Sequence, residues 1–454
     1  MSSFSHNKST ESNYAFDRHI TIVQLTEFVE FTAHKVDIQN VYTPSQLKEQ
    51  TTFVENLVKD ICVNVGKTEP TLATDGVLNR GSYYDGTKIV NADEYDYEPL
   101  LTLSKAVTEV SEFSVFPNQG FRTVRIDTKM LPKPLPAQCL KDINENGVAE
   151  LSSKELLKFL HCTILEALKY MNTVELKKSV RKHMDQGVVD HYMPHPHDTP
   201  YLKGEVSVHS ALHGPSVWLR VGAPLGTTDI DLCFCLRSKA CDKHVMVSAR
   251  YRSYESHWLE SIIDLPEVQK YKLTLPHNKL LLTLKYMTHL ACTVHGGSHV
   301  SSHILRTVLL HHQRNCQETD LGECLLSIIK NFMIKPGEKF DYDANMVHLI
   351  VNAIEIHDIV HHETTLRTNS MKRVPMLIVL LWIVQQTRHN EDSTWIQRIV
   401  DPQFPGNISD DDMLHSLVTS LDFWDNSYSK NPPTRIFQWH HGNTATHVSI
   451  TGDW

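Results

Sequence analysis

The stretch Gly81–Leu101 reads GSYYDGTKIVNADEYDYEPLL. Its second half, from about residue 94 to 103, reads as a strand. Successive side chains on a strand point to opposite faces, so residues i and i+2 share one face. Glu94 and Asp96 therefore aim two carboxylates at one point. Ahead of them stands Gly81-Ser82, a glycine-serine turn of the phosphate-binding type. Far downstream a further acid, Asp231, opens the segment DLCFCL. A neighbouring strand carrying Asp231 would complete a set of three hard oxygen donors. Such a set suits one or two Mg²⁺ or Mn²⁺ ions that hold a nucleoside triphosphate. The chemistry it points to is nucleotidyl transfer. Asp229 shares a strand face with Asp231, so either fits as the third ligand. The apolar run directly after Asp231 favours Asp231.

The rest of the chain sets bounds. It has 454 residues, 41% apolar and 21% charged, as expected for a globular protein of two or three domains or one large bilobal enzyme. The first twenty residues are polar and show no signal-peptide pattern. The most apolar run, Met376–Val384, is too short to span a bilayer, so no membrane partner is expected. Nine cysteines without a CxxC pair fit a reduced, cytoplasmic protein. A net charge of −9 excludes a uniformly basic surface but not one basic face. The 28 histidines could make binding pH-sensitive near neutrality.

Residues 1–17 are Ser/Asn-rich and read as disordered, and 18–36 as a helix. Thr43-Pro44-Ser45-Gln46 carries an N-cap, a Pro at N1 and a Gln at N3. Leu47, Val54, Leu57, Val58, Ile61 and Val65 then recur at helical spacing, which predicts a long helix. Strands follow at 94–103 and 121–128, and one or two helices over 153–184. Val217–Val221 and Asp231–Leu236 read as antiparallel strands joined through Gly222–Gly226, with 185–203 a loop. From about 239 the pattern turns helical, near 252–263, 278–292, 300–313, 321–333, 344–360, 373–388 and 410–422. The tail 426–454 is polar and reads as loosely ordered. The predicted architecture is α+β and bilobal: a core lobe over 18–238 with a long spine helix, then a helical lobe over 239–425.

Several motifs resolve into bland readings. His357-Asp-x-x-His361 would put two histidines on one helix face, but it lacks the metalloprotease Glu and a third ligand. Asp142-x-Asn144-x-Asn146-Gly147 imitates an EF-hand start, but its twelfth position is Ser153, so it reads as an Asx turn. Cys233 and Cys235 read as small core residues, since a thiolate is a poor Mg²⁺ ligand.

Taken in order, LNRGSYYDGTKI, DEYDYEPLL, GPSVWLRV with DIDLCFCL, RYRSYESHWLES, LTLKYMTHL, HVSSHILRTVLLHH and DLGECLLSIIKNF resemble cyclic GMP-AMP synthase and the cGAS-like receptors, over roughly residues 40–400. Each motif is weak alone; their order and spacing are specific. The resemblance implies a bilobal nucleotidyltransferase that joins ATP, GTP or other nucleoside triphosphates into a cyclic dinucleotide in innate immune sensing. It implies two metal ions on Glu94, Asp96 and Asp231, and triphosphate contacts at Gly81 and Ser82. Arg252 would read a purine edge with Ser256 nearby. Lys285 and Ser302 would hold phosphate oxygens. His303 stands where the family has a base-stacking Tyr, and Tyr254 replaces a small hydroxyl residue, so the choice of base departs from the family pattern.

A larger departure concerns zinc. The vertebrate enzyme carries a zinc ribbon in the segment matching Trp258–Leu284, which here holds no cysteine. No structural zinc is expected on that ground, nor the vertebrate grip on duplex DNA. Relatives without the ribbon sense double-stranded RNA or unidentified ligands. Lys154, Lys158, Lys169, Lys177, Lys178, Arg181 and Lys182 could form a track for RNA phosphates, Lys177, Lys178, Arg181 and Lys182 most of all, with ligand-induced dimerisation as a further expectation. Two other readings are a catalytically inactive scaffold of the same fold and a template-independent RNA nucleotidyltransferase. The first would lack the acids; the second would lack the Arg252, Lys285, Ser302 and His303 set.

Overall fold

A computed structural model describes residues 8–113, 121–177, 200–209, 214–238, 243–247, 257–261, 272–295, 300–318 and 320–333, with shorter segments beyond. The chain forms two compact units. One is Val41–Lys270; the other joins Met1–Asn40 to Tyr271–Trp454. The sequence reading divides the chain instead at 238/239 and leaves the first helix with the core lobe.

Helices α1 (Lys8–Val36) and α2 (Ile38–Val41) open the chain. The first of them already begins at Lys8, inside the stretch that reads as disordered from its polar composition. In the unit Val41–Lys270, α3 (Pro44–Thr68) begins with a reciprocal capping box: Thr43 Oγ1 accepts from the Gln46 amide at 3.3 Å, and Gln46 Oε1 accepts from the Thr43 amide at 2.9 Å. Its buried stripe is Val54, Leu57, Val58, Ile61 and Val65. Each such side chain contributes about 1.5–3 kcal/mol of burial. Leu47, on the same stripe, stays half-buried near the helix start.

This helix packs on a 13-stranded sheet. Its strands are β1 (Thr74–Arg80), β2 (Glu94–Leu101), β3 (Val107–Glu112), β4 (Phe121–Asp127), β5 (Leu140–Lys141), β6 (Val148–Leu151), β7 (Glu175–Leu176), β8 (Glu205–Val208), β9 (Val217–Ala223), β10 (Gly226–Leu232), β11 (Cys235–Ser238), β12 (Lys243–Val247) and β13 (Trp258–Ser261). A one-turn helix, α4 (Gly81–Tyr84), and the amphipathic α5 (Ser153–Lys169) complete the described helices of the unit. The order is β5-β6-β4-β13-β12-β11-β2-β10-β9-β8-β7, with β1 also on β2 and β3 also on β4. β10 runs parallel to β2, so both strands deliver their residues to the same end. The β9–β10 hairpin closes with Ala223 opposite Gly226.

Gln50 is a buried amide on α3 that the apolar pattern does not announce. It donates to Ala92 O (3.1 Å) and Thr228 Oγ1 (2.8 Å) and accepts from Leu225 N (2.9 Å). It thereby ties the helix to the approach of β2 and to the hairpin carrying β10. Gln50→Leu leaves those partners without their hydrogen bonds, at about 1–3 kcal/mol per buried group. A fall in melting temperature of several degrees is expected; an unchanged melt would show that the three bonds do not hold these elements.

In the other unit α6 (Leu275–His295), α7 (Ser302–Asn315) and α8 (Leu321–Met333) follow one another. Phe28 of α1 stacks on Trp395 of the short helix Thr394–Val400, with ring centroids 5.6 Å apart. Two expectations fail in this region. Within 344–360 the described residues form strands Met346–Val351 and Ile354–His357 rather than a helix; His357 ends a strand, and His361 lies outside the described residues. The tail holds the antiparallel strands Arg435–His441 and Thr444–Gly452. Alternating β-branched residues such as Thr446, Val448 and Ile450 are the period-two signal that the polar composition masked. In the first unit described above, β13 likewise occupies part of 252–263, and 153–184 contains one helix followed by β7. Segments 185–199 and 410–422 lie outside the described residues. Among the described residues no helix is long and apolar enough to cross a membrane.

Candidate metal and nucleotide site

The pleat of β2 sends Tyr95 and Tyr97 into the core and leaves Glu94 and Asp96 half-buried on the other face. Register then supplies the third acid: Asp231 on β10 lies level with Asp96, and Asp229 level with Glu94. Glu94, Asp96 and Asp231 each place a carboxylate oxygen within 4.8 Å of the others. Asp229 is occupied elsewhere. Arg220 grips it as a fork, Nε to Oδ1 at 2.7 Å and Nη2 to Oδ2 at 3.0 Å. Asp231 instead accepts from the Ser216 hydroxyl at 2.6 Å.

Electrostatics mark the cluster as short of positive charge. Burial, and then the neighbouring Glu94 and Asp231 carboxylates, push Asp96 up to about 7, against the pull of Lys88. Burial also pushes Asp231 up to about 7; the Ser216 hydroxyl opposes the shift, and Glu94 and Asp229 add to it. Lys88 contacts Glu94 Oε2 at 2.7 Å and Asp93 Oδ1 at 3.0 Å. Burial disfavours its ammonium, but those two acids outweigh burial and hold it charged. Three hard carboxylates converging on one point, two of them reluctant to ionise, fit a Mg²⁺ or Mn²⁺ ion.

The sign of the pH response follows. Unfolded, both aspartates titrate near 4; folded, they hold protons up to about 7. Folding therefore takes up protons in this window. The stabilisation these two groups contribute to the metal-free fold is therefore largest below about pH 4 and is lost as pH rises through about 7. At pH 8 in chelator, Asp96→Asn should melt above wild type, because it removes a buried like charge. Mg²⁺ should raise the wild-type melting temperature and barely move the variant. A variant that melts lower in chelator would mean that Asp96 is not electrostatically strained.

Gly81 enters α4 from β1 at φ +76, and Asp96 presses on it: a Cβ there would lie 1.7 Å from Asp96 Oδ2. The two tyrosines after Gly81-Ser82 fasten the turn to α3. Tyr83 OH bonds Thr51 Oγ1, while Tyr84 OH donates to Glu55 Oε1 at 3.0 Å and lies 2.7 Å from Tyr97 OH. Sequence reasoning missed Lys88, Ser216, Tyr83 and Tyr84. Their only signal was proximity in sequence to the acids, which for Ser216 was absent.

The remaining expected site residues lie on other elements or outside the described residues. Lys285 lies on α6, and Ser302 and His303 open α7, all in the other unit. Ser302 and His303 are exposed. Arg252, Tyr254 and Ser256 lie outside the described residues, as do Lys178, Arg181 and Lys182. Lys177 follows β7 rather than riding a helix. Its ammonium sits 2.5 Å from Glu205 and 4.9 Å from the Tyr201 ring centroid. Lys158 and Lys169 pair with Glu155 and Glu166 on α5.

No family model matches the chain. A cyclic GMP-AMP synthase-like receptor from Nicrophorus vespilloides is 27% identical over 170 residues, which span 36% of this chain and 38% of that protein's length. Among solved structures, E. coli MS115-1 CdnC with ATP aligns over 84% of this chain and 98% of its own at 13% identity and a TM-score of 0.43. Vibrio cholerae DncV with 3'-deoxy ATP aligns over 89% and 91% at 13% identity and a TM-score of 0.41. Over the matched stretch the chain resembles a cyclic GMP-AMP synthase-like receptor, the family to which the residues quoted above point.

Proposed function

We propose that the chain is a metal-dependent nucleotidyltransferase that builds a cyclic dinucleotide from nucleoside triphosphates. The observation that carries this reading is the convergence of Glu94, Asp96 and Asp231 within 4.8 Å, with Asp229 withdrawn by Arg220. Similarity to a cGAS-like receptor over part of the chain supports it. The reaction is in-line attack of a ribose hydroxyl on the α-phosphorus, with pyrophosphate leaving. Bound Mg²⁺ or Mn²⁺ would supply charge stabilisation and lower the pKa of the attacking hydroxyl. Glu94 and Asp96 would hold the cation together with the triphosphate. Asp231, oriented by Ser216, would face the attacking group. Gly81 and Ser82 would line the triphosphate, the glycine giving room beside Asp96. Lys88, 2.7 Å from Glu94 Oε2, would hold that carboxylate aimed. Arg252, Ser256, Lys285, Ser302 and His303 would complete the nucleotide contacts, and a second round on the linear product would close the ring. An inactive scaffold would have no need to keep all three acids converging.

The activating ligand in this reading is double-stranded RNA along residues 177–182, held by shape and backbone. Lys177 is already matched by Glu205, so the weight falls on Lys178, Arg181 and Lys182. One experiment tests the whole: incubation with the four labelled triphosphates and Mn²⁺, with and without duplex RNA or DNA, then phosphatase. A phosphatase-resistant small product, stimulated by duplex RNA, is expected. No resistant product under any condition would sink the synthase reading. Product without stimulation by either duplex would leave the synthase and remove the RNA trigger.

A further inference from the structure

A second cluster lies in the unit that does not hold the acids. α6 begins, α7 ends and α8 begins around one point. His277 sits in the first turn of α6, His312 in the last turn of α7, Cys316 at the C-cap of α7 and Cys324 in the first turn of α8. One ring nitrogen from each histidine and both sulfurs lie within 4.8 Å of one another. The sulfurs are 3.5 Å apart and the imidazole centroids 5.4 Å apart. We propose that His277, His312, Cys316 and Cys324 bind a structural Zn²⁺ ion.

The donor set and spacing both fit. Two thiolates and two imidazoles form a closed tetrahedral zinc set. Zn–S bonds near 2.3 Å and Zn–N bonds near 2.0–2.1 Å put ligand atoms roughly 3.3–3.8 Å apart. The cluster needs only a modest contraction to reach that. A second observation points to a ligand independently: His277 Nε2 and His312 Nε2 are both buried with no hydrogen-bond partner. Buried polar atoms are nearly always satisfied, and His277 is only 9% exposed. Two orphaned imidazole nitrogens beside two thiols ask for a cation.

The surroundings hold the ligands in place. Thr274 Oγ1 lies 2.7 Å from His277 Nδ1. With Nδ1–H donating to that oxygen, Nε2 keeps the lone pair, the outer-shell arrangement that fixes a zinc-ligating histidine. Gln313, next to His312, accepts from Thr274 N at 2.8 Å and donates to Lys272 O at 3.1 Å, which staples the α6 start to the α7 end. A disulfide does not account for the cluster: it needs sulfurs about 2.05 Å apart and would leave both orphaned nitrogens unanswered. Four protein ligands leave no open position, so the role is to tie three helix ends together rather than to activate water.

Only His277 comes from the cysteine-free span Trp258–Leu284; the other three ligands follow it, so the missing ribbon does not preclude zinc. The test uses the full chain, purified from zinc-supplemented cells and dialysed into Mg²⁺ buffer, with metal measured by mass spectrometry. One zinc per chain is expected, retained in Glu94→Ala/Asp96→Ala and lost in Cys316→Ser/Cys324→Ser. Should the cysteine variant not fold, Co²⁺ exchanged into wild type decides: tetrahedral bands with thiolate charge transfer support the site. Folded wild type without zinc, zinc retained by the folded cysteine variant, a wild-type Co²⁺ spectrum without thiolate bands, or a Cys316–Cys324 disulfide in the isolated protein would each overturn it.

Discussion

Alanine at both Glu94 and Asp96 is expected to lower nucleotide synthesis by at least about 10³-fold, since the loss of one preorganised electrostatic contact already reaches about 10²–10³. The fold should survive. Both side chains are half-buried rather than core, and the loss of Glu94 removes one of the like charges that add to the burial-driven rise of Asp231. Circular dichroism and a thermal melt check the fold; product formation with Mn²⁺ checks the chemistry. Asp231→Asn should act like the double variant. Asp229→Asn should not: it leaves the Arg220 fork half-answered, so its expected signature is a lower melting temperature with synthesis within about tenfold of wild type. Retained synthesis in the Glu94/Asp96 variant would remove the metal site. The reverse ranking of Asp231 and Asp229 would reassign the third ligand.

What could be read from the sequence, and what could not, follows the range of the interactions. The shared face of Glu94 and Asp96 was legible because the two-residue period of a strand is local. The capping box at Thr43 was legible for the same reason, and α8 starts and stops where its apolar face predicts. The choice between Asp229 and Asp231 was not decidable at that level. It turns on Arg220, which reaches Asp229 only because β9 lies antiparallel to β10 with those two residues opposite. Gln50 was invisible because a glutamine on a helix gives no sign of whether it faces water or three buried partners. The zinc ligands were invisible because they come from three helices, and no short spacing unites them. Strands at 346–357 were misread as a helix because a dense apolar run carries no clear period.

Gly81→Ala should be nearly as damaging as removing an acid, although glycine has no chemistry of its own. Two effects add. At φ +76 an alanine sits in the left-handed region, which costs about 1–2 kcal/mol. Its Cβ would also lie 1.7 Å from Asp96 Oδ2, a distance no relaxation of hydrogen bonds absorbs. Either the turn lifts off β2, against the Tyr83 and Tyr84 anchors on α3, or Asp96 swings out of the cluster. A displacement of about 1 Å at a reacting centre can lower the rate about 10²-fold. Synthesis is expected to fall by about that factor or more, together with Mg²⁺-dependent stabilisation. Gly86→Ala is the matched control. It carries a similar strain at φ +67, but nothing lies within 4 Å of its Cβ position. It should lower the melting temperature slightly and leave synthesis near wild type. Equal losses in both variants would assign the effect to backbone strain alone. Full synthesis in Gly81→Ala would show that the contact with Asp96 does not set the geometry of the site.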